Sequence, residues 1–191
     1  MRILAISGSL RSKSTNTQLL RAVSKLAPIT ISVVVETALD SLPYFNPDLD
    51  EEGMMPPPEV RAWRSRIATA DALLICSPEY AHGMPGVLKN ALDWLVSGAE
   101  IPHKPVGLIN ASPRSIHAQT SLADTLKTMM ARLVPAASLT LALSGRELDA
   151  KGIAATPEFA EPLKKALDAL VAAASEYGEL RKSLQMRPME G

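Results

Sequence analysis

Two short stretches of the chain concentrate residue types that bind ligands. The first is Gly8-Ser9-Leu10-Arg11-Ser12-Lys13-Ser14-Thr15-Asn16-Thr17, which sets hydroxyls, one amide and two cations just ahead of a helical pattern. Hydroxyls and backbone N–H groups ring a phosphate, and a helix N-terminus adds about half a positive charge. Arg11 can add a bidentate contact. A helix cap at Ser14 or Thr15 accounts for some of these hydroxyls. It does not account for so many of them beside Arg11 and Lys13. The second stretch is Ser77-Pro78-Glu79-Tyr80-Ala81-His82-Gly83-Met84-Pro85-Gly86, which carries one of only three tyrosines. An aromatic face there stacks on a flat ring. Pro78, Pro85, Gly83 and Gly86 restrict the path, so that backbone N–H groups face a polar ring edge.

Other chemistries fit less well. Gly8 followed by Lys13-Ser14 looks like a shortened nucleotide-hydrolysing loop, but it lacks the second glycine and is one residue short of G-x-x-x-x-G-K-[ST]. No apolar strand ends in the aspartate that would hold magnesium: the third ends Cys76-Ser77 and the fifth Leu143-Ser144. A G-x-G-x-x-G fingerprint is absent. His82, His103 and His117 lack metal-ligand spacing, and Cys76 reads as a small apolar residue at a strand end. Asp48, Asp50, Glu52, Gly53 and Glu59 mimic a calcium loop, but Pro56-Pro57-Pro58 interrupts it, so a solvated acidic loop is expected.

The elements that must position the two stretches follow from the hydrophobic pattern. Arg2 to Ser7, Ile29 to Val35, Ala72 to Cys76, Pro105 to Asn110 and Leu139 to Leu143 read as strands. Thr15 to Leu26, Glu59 to Ala70, Gly86 to Val96, Ala118 to Leu133 and Pro157 to Leu180 read as helices, with Leu39 to Pro58 a long loop. Short non-alternating apolar strands alternating with helices predict a parallel sheet covered on both faces. Five strands predict an open, doubly wound α/β sheet in the flavodoxin-like order 2-1-3-4-5. Ligands then bind between strands 1 and 3, where the winding reverses. The loops after Ser7 and Cys76, the two unusual stretches, fall at that point.

Composition bounds the reading further. At 191 residues and 47% hydrophobic content, one domain over residues 1–180 with a frayed tail at 181–191 is expected. Twenty basic and twenty acidic residues give a formal net charge of +0, so no global field draws nucleic acid or anionic membrane. The longest apolar run, Ala169 to Ala174, is far below the roughly 20 residues of a membrane span. The apolar start before Ser7 is too brief for a signal peptide. One cysteine excludes an internal disulfide. A cytoplasmic protein is expected.

Gly8-Ser9-Leu10-Arg11 with Ser14 and Asn16, then Ser77-Pro78-Glu79-Tyr80, then Met84-Pro85-Gly86-Val87-Leu88-Lys89-Asn90-Ala91-Leu92-Asp93-Trp94, resembles the NADPH-dependent FMN reductase family. That family includes quinone, chromate and azo reductases on a flavodoxin-like fold. The resemblance implies that Ser9, Arg11, Ser14, Asn16 and Thr17 bind the FMN phosphate. It implies that Pro78, Glu79 and Tyr80 line the isoalloxazine, with Ser112 at its pyrimidine edge. NADPH, or NADH, would be the donor and a small molecule the electron acceptor. Arg11, Lys13 and Arg114 are candidates for the NADPH 2′-phosphate. Homodimers or homotetramers are implied, with Trp94, Leu95, Met129, Met130 and Leu133 in the core or at a subunit interface. A flavodoxin-type electron carrier that does not oxidise NADPH is the alternative. Two positions depart from the family: Ala81 stands where asparagine is common, and Ala111 to His117 lacks the usual glycines.

Overall fold

The structure is a computed structural model that describes residues 1–143 and 145–185. Strands β1 (Arg2–Ser7), β3 (Ala72–Cys76) and β4 (Pro105–Asn110) are buried along almost their whole length. Their runs of Ile, Leu and Val are continuous because both faces of the sheet are covered. β2 (Ser32–Glu36) lies at one edge and alternates between exposed and half-buried positions. The order is β2-β1-β3-β4 and then the fifth position, with every pairing parallel.

The fifth position is built from two pieces. β5 (Arg132–Leu133) pairs with Pro105 and Val106, and β6 (Leu139–Thr140) pairs with Ile109 and Asn110. A 3₁₀ turn at Pro135–Ala137 separates them. The expected strand Leu139 to Leu143 is therefore shorter and has an upstream partner. Pro135 has no N–H to give to the ladder, which breaks the edge at that point.

Helices α1 (Thr15–Leu26), α5 (Ala150–Ala155) and α6 (Pro157–Gln185) cover one face, packing Leu19, Leu20, Ile153, Leu163 and Leu167 on Ile3, Ala5, Leu74 and Ile109. Helices α2 (Pro58–Ala68), α3 (Gly86–Asp93) and α4 (Ile116–Thr128) cover the other, packing Val60, Trp63, Leu88, Leu92 and Leu122 on Leu4, Ile6, Leu73, Ile75 and Leu108. Each fully buried Leu or Ile contributes about 1.5–3 kcal/mol.

Several helix ends differ from expectation: α3 stops at Asp93, not Val96, and α2 at Ala68, not Ala70. α4 stops at Thr128, not Leu133, because Met130 adopts φ 60°. The Ala131 N–H then donates to Leu126 O at 2.9 Å and the Met130 N–H to Lys127 O at 2.9 Å, which closes the helix. Glycine normally takes that left-handed position, so a methionine gave no stop signal. Met130 is 60% exposed, whereas Trp94 and Leu95 are core. α6 runs past Leu180 to Gln185, and residues 186–191 lie outside the described residues.

The acidic loop is not wholly solvated. Asp50 receives two hydrogen bonds from Arg64, at 2.9 and 2.8 Å, and one from the Ser97 hydroxyl. Upstream, Asn90 accepts from the Phe45 N–H at 2.7 Å and donates to Pro43 O at 3.0 Å. The Trp94 indole N–H donates to the same carbonyl at 2.8 Å. The long loop is thus pinned to α3. Among the described residues, no helix is long and apolar enough to cross a membrane.

Candidate functional site

The carboxyl ends of β1, β3 and β4 bring three loops together. The Gly8 N–H donates to Cys76 O at 2.9 Å, extending the β1–β3 ladder into the first loop. A Cβ on Gly8 would stand 2.5 Å from Ser77 Oγ, so only glycine allows this approach.

The first loop wraps on its own hydroxyls. Ser14 is the N-cap of α1, its Oγ accepting from the Thr17 N–H at 3.3 Å. Thr17 Oγ1 is 2.7 Å from Ser7 Oγ, and both groups are buried. Ser9 Oγ accepts from the Arg11 N–H at 3.3 Å. Ser9, Ser14 and Thr17 therefore shape the loop from within, whereas Arg11 is exposed and Asn16 half-buried. None of the ion pairs among the described residues involves Arg11, Lys13 or Arg114. The five residues expected at a phosphate lie in the loop before α1 and in its first turn, at the positive end of that helix.

The second loop is a two-residue hairpin. Tyr80 and Gly83 exchange both N–H···O bonds at 3.0 Å, while Ala81 and His82 have φ of 47° and 60°. Such a turn favours Asn-Gly, because a Cβ in the left-handed region costs about 1–2 kcal/mol. The family's asparagine at position 81 thus has a conformational reason. Ala81→Asn should stabilise the protein by about 0.5–1 kcal/mol and raise Tm by about 1–4 °C. An unchanged or lower melting temperature would contradict this account of the turn.

Tyr80 is 53% exposed and turns toward a cleft of about 370 Å³ between the first two loops. Gly8, Leu10, Arg11, Pro85, Gly86 and Val87 complete its lining. A Cβ on Gly86 would meet nothing within 4 Å. The Glu79 carboxylate is engaged elsewhere. Its Oε2 accepts from the Ala118 N–H at 2.9 Å, which caps α4 and fastens the second loop to the third. The His82 and His117 rings stack at the same junction, 4.2 Å between centroids. Among the described residues no cluster of three His, Cys, Asp or Glu side chains could hold a metal.

In the third loop, Asn110 Oδ1 accepts from the Ser112 N–H at 3.0 Å and Asn110 Nδ2 donates to Ser115 O at 3.3 Å. Ser112 Oγ accepts from the Arg114 N–H at 3.3 Å. This side-chain scaffold replaces the glycines common in the family. Ser7, Asn110 and the Cys76 thiol are site-forming residues that sequence reading missed. The signal for Ser7 and Asn110 was a polar residue closing an otherwise apolar buried strand.

Comparison with known proteins agrees with this geometry. Residues 1–145 match the family described as NADPH-dependent FMN reductase. The chain is 33% identical over 175 residues to an NAD(P)H-dependent FMN reductase of Pseudomonas aeruginosa, covering 89% of this chain and 93% of that protein. It is 35% identical over 107 residues to a quinone reductase of Escherichia coli, covering 56% of this chain and 54% of that protein. It superposes on FerB, a flavoenzyme NAD(P)H:(acceptor) oxidoreductase from Paracoccus denitrificans, with a TM-score of 0.71 at 26% identity. That match covers 92% of this chain and 98% of FerB. The donors at the α1 N-terminus suit a phosphate and the open cleft beside Tyr80 suits a flat ring, so the fold, the site and the family match coincide on one conclusion. This chain belongs to the NADPH-dependent FMN reductase family and is an oxidoreductase.

Proposed function

We propose that the protein holds FMN at the switch point between β1 and β3, oxidises NADPH and reduces quinone-like small molecules in a ping-pong cycle. The observation that carries this reading is the cleft that joins the unpaired Arg11 to the exposed Tyr80. FMN, when bound, would supply the hydride-transfer chemistry between nicotinamide and acceptor.

The chain's own residues bind and orient. Arg11 and Asn16 reach the phosphate from a turn shaped by Ser9, Ser14 and Thr17. Pro78 and Tyr80 line the isoalloxazine, while Glu79 contributes main chain only, since its carboxylate is committed to α4. Ser112 sits at the pyrimidine edge on the loop that Asn110 holds. Lys13 and Arg114, on the first and third loops and in no ion pair among the described residues, are candidates for the NADPH 2′-phosphate. No paired carboxylates array around the cleft to orient one polar substrate, so flat conjugated acceptors stack in it.

Donor and acceptor use the same face beside Tyr80, so the oxidised nicotinamide leaves before the acceptor docks. Initial rates at varied NADPH with several quinones test this. Parallel double-reciprocal lines are expected. Intersecting lines would reject the shared face. No turnover of any quinone would favour the electron carrier instead.

A further inference from the structure

Cys76 ends β3 where the second loop begins, and both its carbonyl and its thiol reach the segment that carries the first loop. Its carbonyl accepts from the Gly8 N–H of the first loop at 2.9 Å. Its thiol donates to Asn16 Oδ1 at 3.1 Å, in the first turn of α1. The Ala111 backbone N–H, at the start of the third loop, favours the thiolate, but less than burial opposes it. The side chain is fully buried, and burial pushes the thiol pKa up. The sulfur therefore keeps its proton and remains a donor.

A carboxamide has two ends with opposite chemistry. With Oδ1 turned toward the sulfur, Nδ2 is the end turned away, and it makes no hydrogen bond to a described residue. An N–H donor suits a phosphate, whereas a flipped amide would present an oxygen and repel it.

We infer that Cys76 is a positioning residue for the flavin phosphate: its thiol sets the orientation of the Asn16 carboxamide. This rests on the reading that the first loop holds FMN by its phosphate. The competing account is that the sulfur only fills core volume, since Cys76 is one member of the apolar cluster under α1. Valine and alanine fill space without donating, while serine donates with a slightly shorter reach.

The experiment titrates FMN and riboflavin into Cys76→Val, Cys76→Ala, Cys76→Ser and Asn16→Ala, and into Cys76→Val combined with Asn16→Ala. Circular dichroism and melting establish that each variant is folded. Cys76→Val and Cys76→Ala should weaken FMN about five- to tenfold, as expected for one ordinary hydrogen bond, and riboflavin less than about twofold. Cys76→Ser should recover FMN affinity to within about threefold of the parent. In the Asn16→Ala background, Cys76→Val should cost FMN nothing further, because the two residues act as one unit. Equal losses for both flavins, or additive losses in the double variant, would overturn the inference and leave a packing role. If valine unfolds the chain, alanine and serine decide by the same criteria. Arg11→Ala separates this result from the reading beneath it. If that variant fails to discriminate FMN from riboflavin, the phosphate assignment itself falls. If it discriminates and the Cys76 variants do not, only the positioning role falls.

Discussion

Arg11→Ala is expected to weaken FMN binding by about 1.5–3 kcal/mol, roughly 10- to 150-fold, while leaving riboflavin almost unchanged. The two ligands differ only in the phosphate, and Arg11 is the side chain whose charge that phosphate would meet. Its guanidinium is exposed at the edge of the cleft and engages no carboxylate among the described residues. Its backbone N–H is already held by the Ser9 hydroxyl at 3.3 Å, so the ordering cost on binding falls on the side chain alone. Because the group is exposed in the free protein, its removal should leave the melting temperature of the flavin-free chain within about 2 °C. Arg11→Lys should recover part of the affinity, since an ammonium keeps the charge but loses the bidentate fork. Fluorescence titration of both flavins reads the difference. Equal losses for FMN and riboflavin would remove Arg11 from the phosphate.

The second large effect is expected from Gly8→Ala. The added methyl would lie 2.5 Å from Ser77 Oγ, 2.9 Å from Ser77 Cβ and 3.1 Å from Leu88 Cδ2. Ser77 ends in no flexible chain that could swing aside, and its hydroxyl is 3.1 Å from Pro78 O. The two loops must separate to admit the methyl, and the cleft proposed to take the flavin lies between them. Overpacking of this kind costs about 1–3 kcal/mol of stability. FMN should weaken about tenfold or more, since every contact across the cleft lengthens together. Ser77→Gly removes both clashing atoms and should restore most of the loss in the double variant, a coupling that an independent effect would not show. A Gly8→Ala protein that melts and binds FMN like the parent would refute the close-approach account.

The parts of this molecule that were legible in the sequence are those written in short-range periodicity. Continuous apolar runs at Ile3 to Ile6, Ala72 to Cys76 and Val106 to Ile109 mark strands covered on both sides, because no polar residue interrupts them. Their alternation with helices leaves few chain paths, and the parallel order with its switch point between β1 and β3 follows. The two loops at that point were visible because their residue types are unlike the rest of the chain.

Tertiary structure alone decided how those residues are used. Glu79 also caps α4, a role its sequence position does not signal, because folding brings Ala118 N–H within 2.9 Å of it across 39 positions of chain. Asp50 reads as solvated but is held by Arg64 and Ser97 on two different elements. Cys76 reads as filler, and its link to Asn16 spans 60 positions. Met130 ends α4 in a conformation that its side chain does not advertise. The physical reason is the same in each case. Periodicity records which side of an element meets water, a local property of a segment. A hydrogen bond or a left-handed residue depends on distances fixed only when segments far apart in sequence have packed, and the packing energy of the whole core maintains them.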